Sequence, residues 1–171
     1  MAHGIGLVPE DRKRQGLVLS MTARSNTTLA TLKWLARLGF INHRAEREQA
    51  RRYFERLRVR AASPEVLTAG LSGGNQQKLV LAKWLAARCR ILILDEPTRG
   101  VDVGAKAEIH ALIDELASQG AGVILISSEL PEILNLSSRV LVLKDGRVAG
   151  ELPRERATQD AVMRLMAGMA A

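Results

Sequence analysis

Cysteine is almost missing from this sequence. Cys89 is the only one in 171 residues, so no internal disulfide can form, and a small apolar residue in a reducing compartment is its ordinary reading. Aromatic residues are scarce too, at 3%. Trp34, Tyr53, Phe54 and Trp84 fall in helix-like stretches rather than alternating along a basic strand, which argues against a base-stacking platform for nucleic acid. No apolar run approaches the ~20 residues of a membrane span, and the first residues lack the basic stretch and apolar core of a secretory signal. A soluble chain is expected. The three histidines offer no metal site, since His3 is near the terminus and His43 and His110 are isolated on helix-like stretches.

What is present suits one real hydrophobic core: 47% of residues are hydrophobic and 25% charged, and the length is that of a single compact unit. The formal charge of +7 suits nucleic acid, acidic membrane headgroups or polyanionic nucleotides, and charge alone does not choose among them.

Along the chain, Gly4 to Val8 reads as a short strand closed by Pro9, and the charged run Glu10 to Arg14 reads as a loop. Apolar residues then recur at helical spacing from about Ala23 to Leu38. Asn42 precedes a second helix from His43 to about Val59, so this portion reads as all-helical. Its arginines interleave with Glu46, Glu48 and Glu55 at spacings of three and four, which predicts a solvated, salt-bridged face. After a Ser63-Pro64 break, Ser72 starts a helix to about Arg88. Ile91 to Leu94 is an apolar strand of the kind buried on both faces of a parallel sheet. Helix Val103 to Ser118, strand Gly122 to Ser127, helix Glu129 to Asn135 and strand Arg139 to Leu143 continue in βαβαβ order. Asp145-Gly146 turns into a hairpin strand, and Thr158 caps a last helix. Composition divides the chain into a helical part, about 17–70, an α/β part, about 71–156, and a C-terminal helix, 157–171. The opening strand belongs with the α/β sheet.

Two clusters carry chemistry. Ser72-Gly73-Gly74 at a helix start brings a hydroxyl, unobstructed amides and the positive end of a helix dipole to one point, where a phosphate fits; a capped helix start with a flexible approach is the plainer alternative. Asp95-Glu96 stands at the carboxyl end of the apolar strand, where ligands of open α/β sheets bind. In P-loop ATPases the first such carboxylate holds Mg²⁺ and an adjacent one orients or deprotonates the attacking water. A solvated turn is the alternative there.

Taken together, Leu71-Ser72-Gly73-Gly74-Asn75-Gln76-Gln77-Lys78 resembles the signature of ATP-binding cassette (ABC) proteins, Ile91 to Glu96 resembles their Walker B strand, and Gly100-Val101-Asp102 their D-loop. With the run 95–106 and Ser127 to Glu132, the wording is similar to the second cassette of carbohydrate-importer ATPases of the ribose, galactose and xylose type. The resemblance spans almost the whole chain. It departs in three places. No Gly-x-x-x-x-Gly-Lys-[Ser/Thr] and no Gly-Lys dipeptide occurs, so the chain reads as a cassette that begins after its phosphate loop. The switch position, usually histidine, is Ser128, which also reads as the N-cap of the following helix. Glu10 takes the place of the Q-loop glutamine.

The resemblance implies an α/β fold, a partial ABC-type P-loop NTPase domain with a parallel sheet and a helical subdomain. It implies ATP and Mg²⁺ as cofactors. Asp95 would bind Mg²⁺, Glu96 would activate water and Ser128 would stand at the switch. Ser72, Gly73, Gly74, Gln76 and Asp102, with Glu10, would face nucleotide. Two cassettes, in tandem or as a dimer, sandwich ATP head to tail, so the signature of one closes the phosphate-loop site of the other. The implied partners are that second cassette, membrane permease subunits docked on the helical part, and indirectly a periplasmic or extracellular sugar-binding protein, with no nucleic acid. The implied location is the cytoplasmic face of the bacterial plasma membrane. The function expected is ATP hydrolysis coupled to sugar import. The alternatives are an inactive cassette that only completes a partner's ATP site, and a non-transport ABC protein.

Overall fold

Side-chain caps set the helix starts in the computed structural model, which describes residues 3–169. Thr22, Asn42, Ser72, Asp102 and Thr158 each accept, through a side-chain oxygen, the N–H three residues on. Each bond satisfies an amide that has no partner within its own helix. These caps open α1 (Ala23–Thr28), α3 (His43–Arg56), α4 (Gly73–Ala86), α5 (Val103–Ser118) and α7 (Gln159–Ala167). The short α2 (Leu32–Leu35) and α6 (Leu130–Leu136) lack a side-chain cap.

The chain forms two compact units, one ending at Ile124 and the other beginning at Leu125. In the first, β1 (Ile5–Val8) runs parallel to β4 (Ile91–Asp95), with Ile5 opposite Ile91 and Val8 opposite Leu94. Strand β5 (Gly122–Ile126) completes the order β1-β4-β5. Helix α4 is the centre of this unit and packs against β1, α1, α3 and α5. Leu79, Leu81, Leu92 and Leu94 are fully buried around it, each worth about 2 kcal/mol of transfer free energy. Gly6 admits this packing: a methyl there would lie 2.9 Å from the Trp84 ring.

Several local readings change in three dimensions. The stretch 23–38 is not one apolar helix: after α1 come a 3₁₀ turn (Leu29–Thr31), α2, and an antiparallel hairpin of β2 (Ala36–Arg37) and β3 (Phe40–Ile41). The reason is that α1 buries a polar face. Asn26, Thr27 and Thr28 are 0% exposed, and Asn26 alone bonds the Val18 N–H and carbonyl and the Thr68 hydroxyl, so the apolar periodicity was not what fixed the segment. Glu10 to Arg14 is not simply a loop, because Asp11 accepts from the Lys13 and Arg14 N–H groups and starts a π-type turn, Arg12–Gly16. The salt-bridged face of α3 does not form either. Glu46 turns inward to Arg24, Thr28 and His43, while Arg44, Arg47, Arg51 and Arg52 have no ion-pair partner among the described residues. Exposed pairs of that kind are worth only ~0.5 kcal/mol, too little to hold two long side chains together.

Strand β4 is buried on one face only, with Leu92 and Leu94 covered and Ile91 38% exposed. The βαβαβ reading fails at its last strand. In the second unit β6 (Arg139–Lys144) does not extend the parallel sheet but pairs antiparallel with β7 (Arg147–Pro153). Asp145 and Gly146, both with positive φ, supply the two-residue turn, whose twist matches that of paired strands. Val140, Val142 and Leu152 then close a separate core with Val162 and Leu165 of α7. Nor is Ser128 the cap of α6: Glu129 holds that position, and Ser127 Oγ accepts the Glu129 N–H. Among the described residues no helix is long and apolar enough to cross a membrane.

Candidate functional site

Three segments distant in sequence meet where α4 begins. Ser72 is exposed, and beneath it Asn75 is held rigid: its Nδ2 donates to Ser72 Oγ and to the Arg60 carbonyl, both at 3.0 Å, and its Oδ1 accepts the Arg60 N–H at 2.8 Å. The two glycines are required by their neighbours. A methyl on Gly73 would lie 2.8 Å from the Gly100 carbonyl oxygen and 2.7 Å from Arg12 Nη2. One on Gly74 would lie 2.4 Å from Ala105 Cβ. The start of α4, the positive end of the helix dipole, is thus fitted against the turn after β4 and the first turn of α5.

Gln76 does not share that exposure. It is 3% exposed, and its Nε2 donates to the Thr68 carbonyl at 3.1 Å. Lys78 is buried as well and bonds the Arg58 carbonyl (2.9 Å) and Glu108 (2.6 Å). Arg60 shares Glu108 at 2.6 Å. The Lys78 hydrogen bond is the main reason the Glu108 carboxyl sits below its usual range. Further along α4, Lys83 is buried with the Gly16 carbonyl as acceptor at 2.7 Å, and burial pulls its ammonium below the ordinary lysine value.

The second half of the site is the end of β4. Asp95 is half-buried, and its carboxylate has no hydrogen bond or ion pair among the described residues. Glu96, also half-buried, takes a left-handed conformation (φ 47) before Pro97, a backbone state that costs a non-glycine residue roughly 1 kcal/mol or more. It is held by the turn that follows, in which Arg99 N–H donates to the Glu96 carbonyl at 3.1 Å and Val101 N–H to that of Thr98 at 3.3 Å.

Because Val8 lies opposite Leu94, the chain leaving β1 emerges beside Asp95-Glu96, and it braces their turn. The Glu10 carboxylate pairs with Arg99. Arg12 donates from Nη1 to the Arg99 carbonyl (2.8 Å) and from Nη2 to that of Gly100 (3.1 Å). Burial draws the Arg12 guanidinium below its ordinary value, against the pull of Asp11. Arg12 and Arg99 were not singled out by sequence, since nothing in a run of basic residues tells which one reaches a turn more than eighty residues away. Asp102 caps α5 through Ala105 at 2.9 Å. The structure therefore sets Gly73 and Gly74 against Gly100, Asp102 and Ala105, and joins Glu10 through Arg99 to the turn that follows Asp95-Glu96, all within the first unit, with Gln76 beneath. Ser128 is exposed and belongs to the second unit. Among the described residues no group of three His, Cys, Asp or Glu is arranged to hold a metal.

A family model described as ABC transporter matches residues 1–99, more than half of the chain. The chain belongs to the ABC transporter family. Among curated members, this ABC-family chain is 56% identical over 165 residues to a ribose import ATP-binding protein of Streptomyces coelicolor, covering 96% of the chain and 32% of that protein. It is 51% identical over 166 residues to a xylose import ATP-binding protein of Geobacillus kaustophilus, covering 97% and 33%. The chain thus spans about a third of the length of the curated relatives it matches. Among solved structures it resembles the ATP-binding cassette MJ0796, in a dimeric post-hydrolysis state bound to ADP and Pi, with a TM-score of 0.72 and 25% identity, over 88% of this chain and 62% of that one. The fold is accordingly part of an ABC-type P-loop NTPase domain, a parallel sheet with helices packed on it.

Proposed function

We propose that this chain is the signature-bearing part of the ATP-hydrolysing subunit of a sugar importer, working as one half of a head-to-tail pair of cassettes. The observation that carries the reading is the junction at the start of α4, where Ser72-Gly73-Gly74 and the Asp95–Asp102 turn are fitted into one surface by Arg12 and by the Gly74–Ala105 contact. Sugar is the cargo class named for the relatives, ribose in one and xylose in another.

In this reading Ser72, Gly73, Gly74 and Asp102 face the ATP carried by the second cassette, with the α4 amides and hydroxyl meeting its phosphates. Gln76 supports that surface from below through Thr68. Asp95 and Glu96 serve the nucleotide of the chain's own cassette, with Glu10 at the metal-sensing position; in the second unit, Ser128 holds the switch position by its place in the sequence. The half-buried, unpartnered Asp95 carboxylate suits Mg²⁺, an ion that takes one or two carboxylates and completes its shell with phosphate oxygens and water. Bound MgATP would supply the γ-phosphoryl group and its charge neutralisation. Glu96, the residue directly after β4, orients and deprotonates the attacking water.

The helical part, about 17–70, faces the permease subunits. A groove of about 600 Å³ lined by Trp34, Gln49, Arg52, Tyr53, Ala86 and Arg88 is suited to receive them, and the Tyr53 hydroxyl, bonded to the Leu85 carbonyl at 3.0 Å, ties that groove to the helix that carries the signature. The subunit then works at the cytoplasmic face of the bacterial plasma membrane. Its sugar reaches the permease from a separate binding protein outside, and nucleic acid is not a partner.

The test is ATP turnover by the assembled transporter with Ser72→Arg. Bulk and charge at the exposed cap block closure on the partner's ATP, so turnover falls at least about tenfold, whereas Ser72→Ala, which loses the same cap hydrogen bond at about 0.5–2 kcal/mol without adding bulk, retains more of it; unaltered turnover in Ser72→Arg refutes the reading.

A further inference from the structure

One stretch has a net charge almost equal to that of the whole chain. Residues 33–60 hold nine lysines and arginines against three glutamates, a net of +6 in a chain of +7. With Glu46 buried, Arg44, Arg47 and Arg51 recur every three or four residues along one exposed, unpaired face of α3, as helical spacing requires. Directly before α3 stands the β2–β3 hairpin, and its tip is apolar. Leu38 is 91% exposed, Phe40 81% and Ile41 37%, and in α2, just before the hairpin, Trp34 is 55% exposed. The cations Lys33 and Arg37 flank them, with Lys33 Nζ 5.3 Å from the Trp34 ring centre.

The tip is held against two local preferences. Leu38 (φ 52) and Gly39 (φ 85) are the two central residues of the turn, where Asn, Asp or Gly is the usual first residue because positive φ strains other side chains. A leucine there is strained and also faces water. An outlier of this kind points to a surface kept for contact with something apolar.

We propose that the β2–β3 hairpin and the arginine face of α3 form a contact surface for an anionic lipid bilayer. Leu38 and Phe40 enter the boundary between headgroups and acyl chains, Trp34 lies at headgroup depth, and Arg37, Arg44, Arg47 and Arg51 take the lipid phosphates. The combination decides for a bilayer over other polyanions. Duplex nucleic acid offers the phosphates but no apolar layer for Leu38 and Phe40, whereas an anionic leaflet offers both within a few ångströms. This contact goes beyond the hydrolytic role and does not depend on it: it touches the lipid directly, with Trp34 at the border between the lipid and a permease seated in the groove over Gln49, Arg52 and Tyr53.

The test is cosedimentation of the purified 171-residue chain with vesicles of phosphatidylglycerol and phosphatidylcholine in equal parts, beside vesicles of phosphatidylcholine alone. The chain binds the anionic vesicles at least ~10-fold more tightly than the neutral ones, and added salt releases it. Leu38→Asn with Phe40→Thr weakens binding ~10-fold or more. Asn tolerates the positive φ and Thr suits a strand, so this variant melts no lower than wild type, which separates lost contact from lost fold. Arg44→Glu with Arg51→Glu weakens binding further, each basic residue at an anionic surface being worth roughly a factor of five. Three results overturn the proposal: no binding to anionic vesicles at low salt, a hairpin variant that binds as wild type does, or duplex DNA that outcompetes the vesicles at equal phosphate concentration.

Discussion

Gly74→Ala is the sharpest probe of how the signature is built. The added methyl would start 2.4 Å from Ala105 Cβ, against the ~3.5–4 Å of an ordinary carbon contact, so about 1 Å must be found by moving α4 away from α5. Neither helix is free to move, because Lys78 and Arg60 tie them together through Glu108 at 2.6 Å each. Overpacking of this kind costs ~1–3 kcal/mol. At the second residue of α4 alanine returns only about half of the ~1 kcal/mol it gains in a helix interior, leaving a net loss of about 0.5–2.5 kcal/mol. Urea unfolding followed by circular dichroism reads it as a lower midpoint at unchanged slope. Ala105→Gly reopens the space. It costs about 1 kcal/mol alone, but the double variant is no less stable than Ala105→Gly by itself, a coupling of about 0.5–2.5 kcal/mol. Were glycine there only to let a phosphate approach, Gly74→Ala would leave the midpoint unchanged or raise it, and the two effects would add. Either result refutes the steric account.

Two further outcomes follow from buried charges and close contacts. Burial lowers the Lys83 pKa, so in the alkaline window between that lowered value and the ordinary ~10.4 the unfolded chain carries the extra proton and stability rises with pH; Lys83→Met removes the rise, and a pH series of urea midpoints that is the same in both proteins contradicts it. Gly6→Ala puts a methyl 2.9 Å from the Trp84 ring and lowers stability by about 1–3 kcal/mol, read as a lower urea midpoint, with a Trp fluorescence shift as a second readout; an unshifted midpoint and spectrum contradict it.

Much of the local structure was legible because its signals are contiguous. Ser72, Asn42 and Thr158 cap helices as their residue types suggest, and α5 runs from Val103 to Ser118 as its periodicity requires. What failed depended on partners distant in sequence. The polar face of α1 makes sense only once Asn26 meets Thr68. The Arg12 clamp on Arg99 and Gly100 exists only because β1 lies beside β4. Strand β6 was half legible: the Asp145-Gly146 turn marked its hairpin with β7, but its apolar run did not show that it leaves the parallel sheet to close a core with α7. The site was similar. Its motifs were readable in line, whereas the inward turn of Gln76 and the steric need for Gly73 and Gly74 came from Thr68, Gly100 and Ala105.

The central claim is that Glu96, at the strained end of β4, activates water for ATP hydrolysis in the assembled transporter. Glu96→Gln keeps the shape and removes the base. ATP turnover measured on the assembled transporter should fall by about 100-fold or more, the usual worth of a positioned general base, while nucleotide binding stays as in wild type. Turnover equal to wild type would contradict the claim.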